Sequence, residues 1–396
     1  SRIPNYKLFL NMFISPFKAI RAQPHKMKSW IKRQIGDSLY QNRNVLDFLT
    51  LIQPESNNIA QIRKRLHAFL RKKVLVQDSN PSLYLLEIQS VSSNWLGFIG
   101  CIQTRKLKTG EIKPHEDVEK SRVKTFKDYL KNIQLNSEPI VLCHSPNKEL
   151  EEICYQLTNS KAFAEFQRKE TYYKFWRIDH PDLIDRINVA FKTIDSLYIA
   201  DGHHRCFSFL LYSKEDKTKD QFLAMLVPHD QLEIDGFCRM FSSLNEIRVD
   251  HFVAELSNNF KVEKISAYKP PKNSFEFSMY VGGSWFGLTS NRDRSLTPTL
   301  SRIPTNIIYE DIAKPLLNIQ NLQKDKRISY IHYEYTEQKI KDAVDMGEFA
   351  FGLQHYPIPY SDIVATVKDS DLLPPKSTHI KPKPLHGLLI FDFLSQ

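Results

Sequence analysis

The sequence lacks several features that would place it in a class at once. Its 396 residues include five cysteines, an odd number without CxxC spacing, and this argues against a disulfide framework and against a thiolate zinc site. A reducing cytoplasm is the expected location for such a chain. No apolar run reaches the roughly 20 residues that span a bilayer, and there is no glycine-rich Walker loop. We therefore expect no membrane partner and no P-loop nucleotide site.

The chain also lacks internal repeats and low-complexity tracts. The brief apolar run from residue 6 to 14 has no small-residue cleavage site, so it is not expected to be a signal peptide. Hydrophobic residues make up 41% of the chain and aromatic residues 12%, which is typical of a globular protein. The length allows two domains or one large elaborated domain with an ample core.

A net charge of +10 raises the question of nucleic-acid binding. Two of the basic clusters, at 63–65 and 71–73, fall on a predicted helix over 59–73 whose apolar residues form one stripe. Their charges are then mostly a solvated face, and a third cluster lies at 376–383. No recognition helix, zinc finger or aromatic RNA-binding signature is present. Since a basic protein also attracts anionic metabolites, nucleic acid is not the expected partner.

The most informative stretch is Ala200 to Arg205, with the letters A-D-G-H-H-R, which follows the apolar run 197–199. The residues after it, 206–212, have the apolar face of a helix. A strand that turns into a helix at Asp-Gly presents backbone N–H groups, and the helix dipole there favours an anion. Two adjacent histidines are more often satisfied structural residues than ligands. The aspartate and glycine before them and the arginine after them favour a phosphate site.

Alternating and helical patterns predict the elements around this stretch. Predicted strands are 83–88, 95–102, 139–143, 172–178, 197–199 and 222–228, and predicted helices are 119–135, 149–156, 160–170 and 206–212. The first two strands are predicted to be neighbours joined by a short polar turn. Central strands with helical crossovers indicate a mixed α/β or α+β fold.

A second candidate residue is Glu116, which follows Pro114-His115 and precedes the helix predicted over 119–135. A carboxylate at a helix start is often only a cap or a partner of the dipole. Its place in an ordered series makes it more interesting. The series runs from Lys113 to Glu116, through the helix and the strand that begins at Pro139, to the A-D-G-H-H-R stretch.

This series resembles the ParB/sulfiredoxin-like fold and, within it, the free serine kinases. There, a glutamate precedes a helix and a "P-I-x-V" strand, and a "D-G-H-H-R" box at the end of the next strand binds phosphates. Nearly the whole chain more closely resembles a bacterial and archaeal family of unknown function. The matching features are Pro16 to Arg21, Ile52 to Glu55, Ile112 to Glu116, Ala200 to Arg205, Pro375 to Thr378, and Gly387-Leu388.

The resemblance implies an α+β (mixed α/β) protein with a ParB/sulfiredoxin-like core and large elaborations. The implied regions are an N-terminal α/β region at 1–105, the core at 106–230 with an insertion at about 145–193, and a C-terminal α+β region at 231–396. The chain departs from the pattern in four places: about fifty residues separate Cys143 from Ser196, no "P-P-Y-D" stretch occurs within 26–40, and Cys238-Arg239 and His379-Ile380 replace the usual pairs. Because of these departures, the resemblance does not identify the acceptor pocket or the substrate.

For the reaction, the resemblance implies phosphoryl transfer to a small hydroxyl compound. Glu116 is then the general base, and Asp201 holds Mg²⁺. The donor phosphates are bound by Gly202, His203, His204 and Arg205, with His204 also counted as catalytic.

Two further groups are candidates for phosphate binding. Arg122, early in the helix after Glu116, is within reach of an anion, although a solvated face is its simpler interpretation. Lys376, Ser377 and Thr378 form a cationic, hydroxyl-bearing corner, or a simple turn before the last strand. His115 is expected to support its turn rather than to catalyse.

Three classes of function follow. The first is a kinase for free L-serine or a similar metabolite, with ATP, ADP or pyrophosphate as donor. The second is a ParB-like regulatory protein that binds or hydrolyses a nucleotide, although the helix-turn-helix it predicts is not found. The third is a hydrolase with a metal on His203 and His204, and it ranks last because adjacent histidines on an extended chain point to different sides. Acceptor, donor and oligomeric state stay open.

Overall fold

The computed structural model describes residues 12–27, 59–293, 297–332, 336–381 and 383–394. Contacts between Cα atoms divide these residues into two units. The first holds the described residues up to 113, residues 118–232 and residues 383–394, and the second holds 114–117 and 233–381. The division into three regions at 105 and 230 stays a prediction.

Most of the first unit is built on one mixed sheet of eight strands in the order β5-β10-β7-β11-β4-β3-β9-β8. The strands up to residue 232 are β1 (Ile20–Ala22), β2 (Leu75–Gln77), β3 (Leu83–Gln89), β4 (Asn94–Gln103), β5 (Ile112–Lys113), β6 (Leu135–Asn136), β7 (Ile140–His144), β8 (Ala164–Arg168), β9 (Thr171–Ile178), β10 (Leu197–Asp201) and β11 (Gln221–Pro228).

The pairing of these strands confirms a mixed α/β fold. β7 is parallel to β11 and β5 is parallel to β10, whereas the other neighbours in the sheet are antiparallel. β3 and β4 form the predicted hairpin. All five residues of β7 are buried, and so are the six between the ends of β11, as expected for central strands with both faces covered.

The helices of the first unit are α1 (Ile59–Arg71), α2 (Arg105–Lys108), α3 (Lys120–Ile133), α4 (Lys148–Thr158), α5 (Pro181–Lys192) and α6 (His203–Glu215), with short 3₁₀ turns at Pro24–Lys26 and His229–Gln231. α3 buries Val123, Leu130 and Ile133 on one face, as its periodicity predicts. Arg63 of α1 is not part of a solvated face. Its guanidinium donates to the carbonyls of Ile133 and Gln134 at the end of α3.

The helix predicted over 160–170 is wrong. Residues Ala164–Arg168 form β8, which pairs with β9 in an antiparallel register. Ala164 and Phe166 are buried while Glu165 and Gln167 are exposed, so the segment has the period of two that suits a strand. The cross-strand neighbours in β9 favour this arrangement over the local helical pattern.

Two N-terminal features of the family pattern can be placed only in part. Residues 52–55 lie outside the described residues, as does most of the stretch 26–40. Phe17 is buried and bridges to Ser82, and the backbone of Ile20 bridges to Ile390. The segment 16–21 is thus part of the first unit's core.

The second unit contains a six-stranded antiparallel sheet in the order β14-β16-β15-β18-β13-β17 and a two-stranded sheet of β12 and β19. The remaining strands are β12 (Glu233–Asp235), β13 (Phe237–Phe241), β14 (Phe260–Ile265), β15 (Glu276–Val281), β16 (Ser284–Ser290), β17 (Ile328–His332), β18 (Phe351–His355), β19 (His379–Lys381) and, in the first unit, β20 (Phe391–Asp392). The helices of the second unit are α7 (Val249–Leu256), α8 (Thr299–Arg302), α9 (Pro304–Ile308), α10 (Lys314–Leu317), α11 (Thr336–Asp345) and α12 (Tyr360–Lys368), with a π-helical segment at Tyr309–Ala313.

An aromatic cluster fills the core of this unit. Phe241 and Phe351 stack at 4.5 Å between ring centroids, and Phe252 packs against Phe351. All three are fully buried. Within the described part of the chain, no helix has the length and apolar character to cross a membrane.

Candidate functional site

The A-D-G-H-H-R stretch forms a strand-to-helix corner in the first unit. β10 ends at Asp201, Gly202 has a φ of +98°, and α6 begins at His203. The first hydrogen bond of the helix runs from the N–H of Cys206 to the carbonyl of Gly202, so three N–H groups precede it. This is the helix N-terminus that the sequence predicts.

Glycine is required at this corner for two reasons. A positive φ costs other residues steric energy, and a Cβ at Gly202 would lie 3.0 Å from Nη2 of Arg205. The guanidinium of Arg205 therefore packs directly over the turn. A Cβ at residue 202 would require the guanidinium to shift by a few tenths of an ångström.

The guanidinium of Arg205 contacts two carboxylates and two backbone carbonyls. Nη2 lies 2.8 Å from Oδ2 of Asp201 and 2.9 Å from Oε1 of Glu138. Nη1 donates to the carbonyls of Glu138 and Pro139, at 3.0 and 3.2 Å. The predicted phosphate ligand thus joins the end of β10 to the start of β7.

Lys383 and His386 complete this cluster, which holds Asp201, Glu138, Arg205, Lys383 and His386. Nζ of Lys383 lies 2.9 Å from Oδ1 of Asp201, and Nε2 of His386 lies 3.1 Å from Oε1 of Glu138. Burial opposes the charged form of Asp201, but the charges of Arg205 and Lys383 outweigh it and lower the pKa of the carboxyl. The same competition between burial and the charges of Arg205 and His386 lowers the pKa of Glu138. Both acids are therefore ionised at neutral pH.

The two histidines of the box have different surroundings. His203 is buried in the first turn of α6. His204 is half-buried, and its Nε2 accepts a hydrogen bond from the backbone N–H of Glu119 at 3.1 Å. Since Glu119 is the N-cap of α3, His204 links the starts of two helices and carries no proton on Nε2 in this arrangement.

Arg122 lies exposed on the first turn of α3. The contacts of the described residues do not connect it to the charged cluster. Its predicted role in anion binding therefore stays a prediction.

The second unit holds Glu116 and the Pro-Lys-Ser-Thr segment. Oε1 of Glu116 accepts a hydrogen bond from the backbone N–H of Lys376 at 2.7 Å, and Glu116 forms a bridge with Leu373. Lys376 has a φ of +56°, so the turn is sharp, and its Nζ lies over the ring of Phe237 at 5.4 Å. The carboxylate is half-buried and its orientation is fixed by the turn.

The neighbouring residues of this turn are structural partners of one another. Nε2 of His115, which is buried, lies 3.0 Å from Oγ1 of Thr378. The hydroxyl of Ser377 is 2.8 Å from that of Thr305 and donates to the carbonyl of Pro374. These contacts are what a supporting role for His115 requires.

A buried basic pair also belongs to this part of the second unit. Arg239 is fully buried, and its Nη1 lies 3.0 Å from Nε2 of His355 and its Nη2 3.4 Å from the carbonyl of Pro375. Burial, followed by the charge of Arg239, lowers the pKa of His355 to about 3, so this histidine is neutral. Arg239 thus connects β13 to the Pro-Lys-Ser-Thr turn.

Within each unit the structure brings some of the predicted residues together. In the first unit Asp201, Gly202 and Arg205 share one cluster, and in the second Glu116 is hydrogen-bonded to Lys376. The prediction missed Glu138, Lys383 and His386, and it noted Arg239 only as part of an altered pair. Glu138 carried one signal, because it directly precedes the proline that leads β7.

Comparison with known proteins gives the family. Residues 14–312 match the family described as protein of unknown function (DUF1015), and the chain belongs to that family. The predicted membership of a family of unknown function is thereby confirmed. Among curated proteins none matches the sequence significantly.

Three solved structures show a weak likeness. A free serine kinase in complex with AMP has 14% identity and a TM-score of 0.38, covering 73% of this chain and 92% of its own. A conserved hypothetical protein from Pyrococcus furiosus has 13% identity and a TM-score of 0.39, with coverages of 75% and 96%. SbnI with a C-terminal truncation, from Staphylococcus aureus, has 11% identity and a TM-score of 0.40, with coverages of 73% and 87%. Likenesses of this size do not establish an activity.

Proposed function

We propose that this protein is a small-molecule kinase that transfers a phosphoryl group to the hydroxyl of free L-serine or a similar metabolite. The observation that carries the proposal is the corner at Gly202. There a helix N-terminus, two histidines and an ionised aspartate with its cations lie on one turn. Such a corner provides N–H donors and the positive end of a helix dipole for donor phosphates.

Within this corner the residues take different tasks. We assign the donor phosphates to His203, His204 and the N–H groups of the first turn of α6. Arg205 would reach a phosphate only by leaving Asp201 and Glu138. We therefore assign it to holding the turn and the carboxylate in place.

Asp201 fits the role of a magnesium ligand by its chemistry. A carboxylate oxygen is the protein ligand that Mg²⁺ prefers, together with phosphate oxygens and water. Oδ1 is paired with Lys383, whose side chain is 52% exposed, so a cation at this oxygen would displace a mobile, solvated ammonium rather than a buried one. Bound magnesium would neutralise charge on the donor phosphates.

Glu116 is proposed to act on the acceptor. Its carboxylate, oriented by the N–H of Lys376, would take the proton of the acceptor hydroxyl while the oxygen forms a bond to the terminal phosphorus of the donor. The bond from that phosphorus to the bridging oxygen breaks, and the rest of the donor leaves. The product is the phosphate ester of the acceptor.

The test is direct. Purified protein is incubated with Mg²⁺, with ATP, ADP or pyrophosphate, and with each amino acid in turn, and products are measured by mass spectrometry. We expect O-phosphoserine from serine with one of the donors. If serine and its hydroxyl analogues give no product with any donor, the kinase proposal is wrong.

A matched pair of variants tests the general base. Glu116→Gln should lower turnover by about 10²- to 10⁴-fold and leave donor binding, measured by calorimetry, unchanged. Glu119→Gln is the control, because it removes an exposed carboxylate three residues away. Full activity of Glu116→Gln would overturn the assignment. Nucleotide hydrolysis that needs no acceptor and survives Glu116→Gln would instead support the ParB-like regulatory alternative.

A further inference from the structure

A cavity of about 210 Å³ lies in the first unit. It sits over the row where His144 at the end of β7 is opposite Pro228 at the end of β11. Leu96 and Phe98 of β4 extend the wall, and α4 covers it with Leu150 and Cys154.

This cavity is separate from the charged cluster. Arg205 binds the carbonyl of Pro139, just before β7, whereas His144 is the last residue of the same strand. Five residues at about 3.3 Å each place the two ends about 15 Å apart. A ligand in the cavity would therefore not contact the phosphate corner.

His144 gives the cavity a defined hydrogen-bond acceptor. The residue is 1% exposed, and its Nδ1 lies 2.8 Å from the carbonyl of Ser145, so Nδ1 carries the proton and donates it. Burial lowers the pKa of His144 to about 4, which keeps the ring neutral. The ring packs edge-on against Phe191 at 5.4 Å, which fixes its plane. Nε2 of His144, which lines the cavity, is then a hydrogen-bond acceptor.

Gln231 and Cys154 are uncharged polar groups of the wall, and the exposed Glu151 is the carboxylate among the lining residues. Oε1 of Gln231 accepts the N–H of Leu96 at 2.8 Å, so the orientation of its amide is set and the NH₂ group is its donor. Burial, and to a lesser degree Glu151, raises the pKa of the Cys154 thiol to about 12, so it stays protonated. Leu96, Phe98, Leu150 and Pro228 supply an apolar surface.

We infer that this cavity is a binding site for a small uncharged molecule that has an apolar or aromatic body and a hydroxyl group hydrogen-bonded to Nε2 of His144. The size fits such a ligand, since an apolar cavity of about 150 Å³ holds benzene and about 210 Å³ leaves room for a ring with a substituent. An anionic ligand is disfavoured because no lysine or arginine lies among the lining residues, and a cationic one because the lining carboxylate, Glu151, is exposed to solvent rather than buried. This inference does not depend on the proposed kinase activity.

Phenol and toluene are matched probes, because they share ring size and differ in the hydroxyl. Binding to the whole protein is measured by ligand-observed NMR titration. We expect saturable binding of both, with phenol about fivefold to tenfold tighter, as one net hydrogen bond implies. In His144→Leu, phenol should bind only as tightly as toluene, while toluene binding is kept.

Filling the cavity should abolish binding of both probes. Leu150→Trp and Cys154→Phe each place a larger side chain in the cavity from α4. Two variants are made so that one remains informative if the other does not fold. Val189→Trp is the control, since Val189 is 63% exposed and does not line this cavity. The inference is overturned if neither probe binds saturably, if binding survives in a folded filled variant, or if the advantage of phenol persists in His144→Leu.

Discussion

The buried polar groups at the two ends of β7 are stabilised in different ways: those at the start are ion-paired, and the one at the end is neutral. At the start, Glu138 and the carbonyl of Pro139 contact Arg205, and Asp201, Lys383 and His386 join them. At the end, His144 is buried, has no ion pair with any residue that the structure describes, and is neutral. In the first case opposite charges outweigh the cost of burial, and in the second burial wins. Five residues of one strand thus separate the proposed phosphate site from the proposed site for an uncharged ligand.

The largest test of this contrast is Arg205→Met. The substitution leaves Asp201 and Glu138 without their shared partner, so we expect the free energy of unfolding to fall by about 3 kcal/mol, measured as a lower midpoint in urea. Arg186→Met is the control, because Arg186 and its partner Glu149 are each 44% exposed. If both variants lost the same free energy of unfolding, the ion pairs of Arg205 would contribute no more than a surface ion pair.

The pH dependence of stability separates the two ends. His144 has a folded pKa of about 4 against an ordinary value of 6.5, so the unfolded chain takes up a proton first as the pH falls. Its stability contribution is complete above pH 6.5 and is lost towards pH 4, by about 3 kcal/mol in all. His144→Leu should flatten unfolding midpoints in this window. The difference from the wild type is the quantity measured, because His355 titrates in the same direction.

The charged end should respond at lower pH. The pKa values of Asp201 and Glu138 are lowered, so their contribution is present above the ordinary carboxyl range and is lost as the pH falls through the folded values. Arg205→Met should therefore flatten the profile below that range and leave the His144 window intact. A change confined to the window between 4 and 6.5 would contradict the assignment.

Gly202→Ala is expected to have a moderate effect. The positive φ costs about 1–2 kcal/mol in any other residue, and the new Cβ also displaces the guanidinium of Arg205. Gly110→Ala is a matched control, because Gly110 has a φ of +80° but no atom within 4 Å of the added Cβ. The difference between the two urea midpoints isolates the contact with Arg205. No difference would mean that Arg205 moves aside without loss.

Lys383→Met should have the smallest effect. A half-exposed ion pair contributes at most about 1 kcal/mol, and its side chain is 52% exposed. We expect a small fall in the urea midpoint that disappears in high salt. A loss as large as that of Arg205→Met would show that Asp201 depends on both cations equally.

Much of the sheet could be predicted, because its strands carry their own pattern. The runs that became β3, β4, β7 and β11 are apolar and bounded by polar turns, and all four were predicted. The segment Ala164–Arg168 was not, since five residues cannot distinguish a period of two from a helical face. Its pairing with β9 decides the outcome, and that contact is formed between segments rather than within one.

The candidate site was predicted only where its residues adjoin in sequence. The turn at Gly202 follows from local chemistry. Lys383, however, lies 182 residues from Asp201, and nothing in its basic surroundings distinguishes it from other lysines. The ion pairs of Arg205 with Asp201 and Glu138 were equally hidden, because a guanidinium after two histidines suggests a ligand-binding group and the sequence does not show that Glu138 lies beside it.

Lys383 and His386 follow the second unit in the order of the chain, and this order has a consequence for how the protein is made. β20 pairs with β6, and these two residues contact acids of the first unit that are translated about 180 to 250 residues earlier. At about 5–20 residues per second, a ribosome needs some tens of seconds to supply them. The nascent first unit must therefore wait, with its acidic corner incomplete, until nearly all of the second unit has left the exit tunnel. A chain that terminates early would carry the whole A-D-G-H-H-R stretch and still lack the charges that balance it.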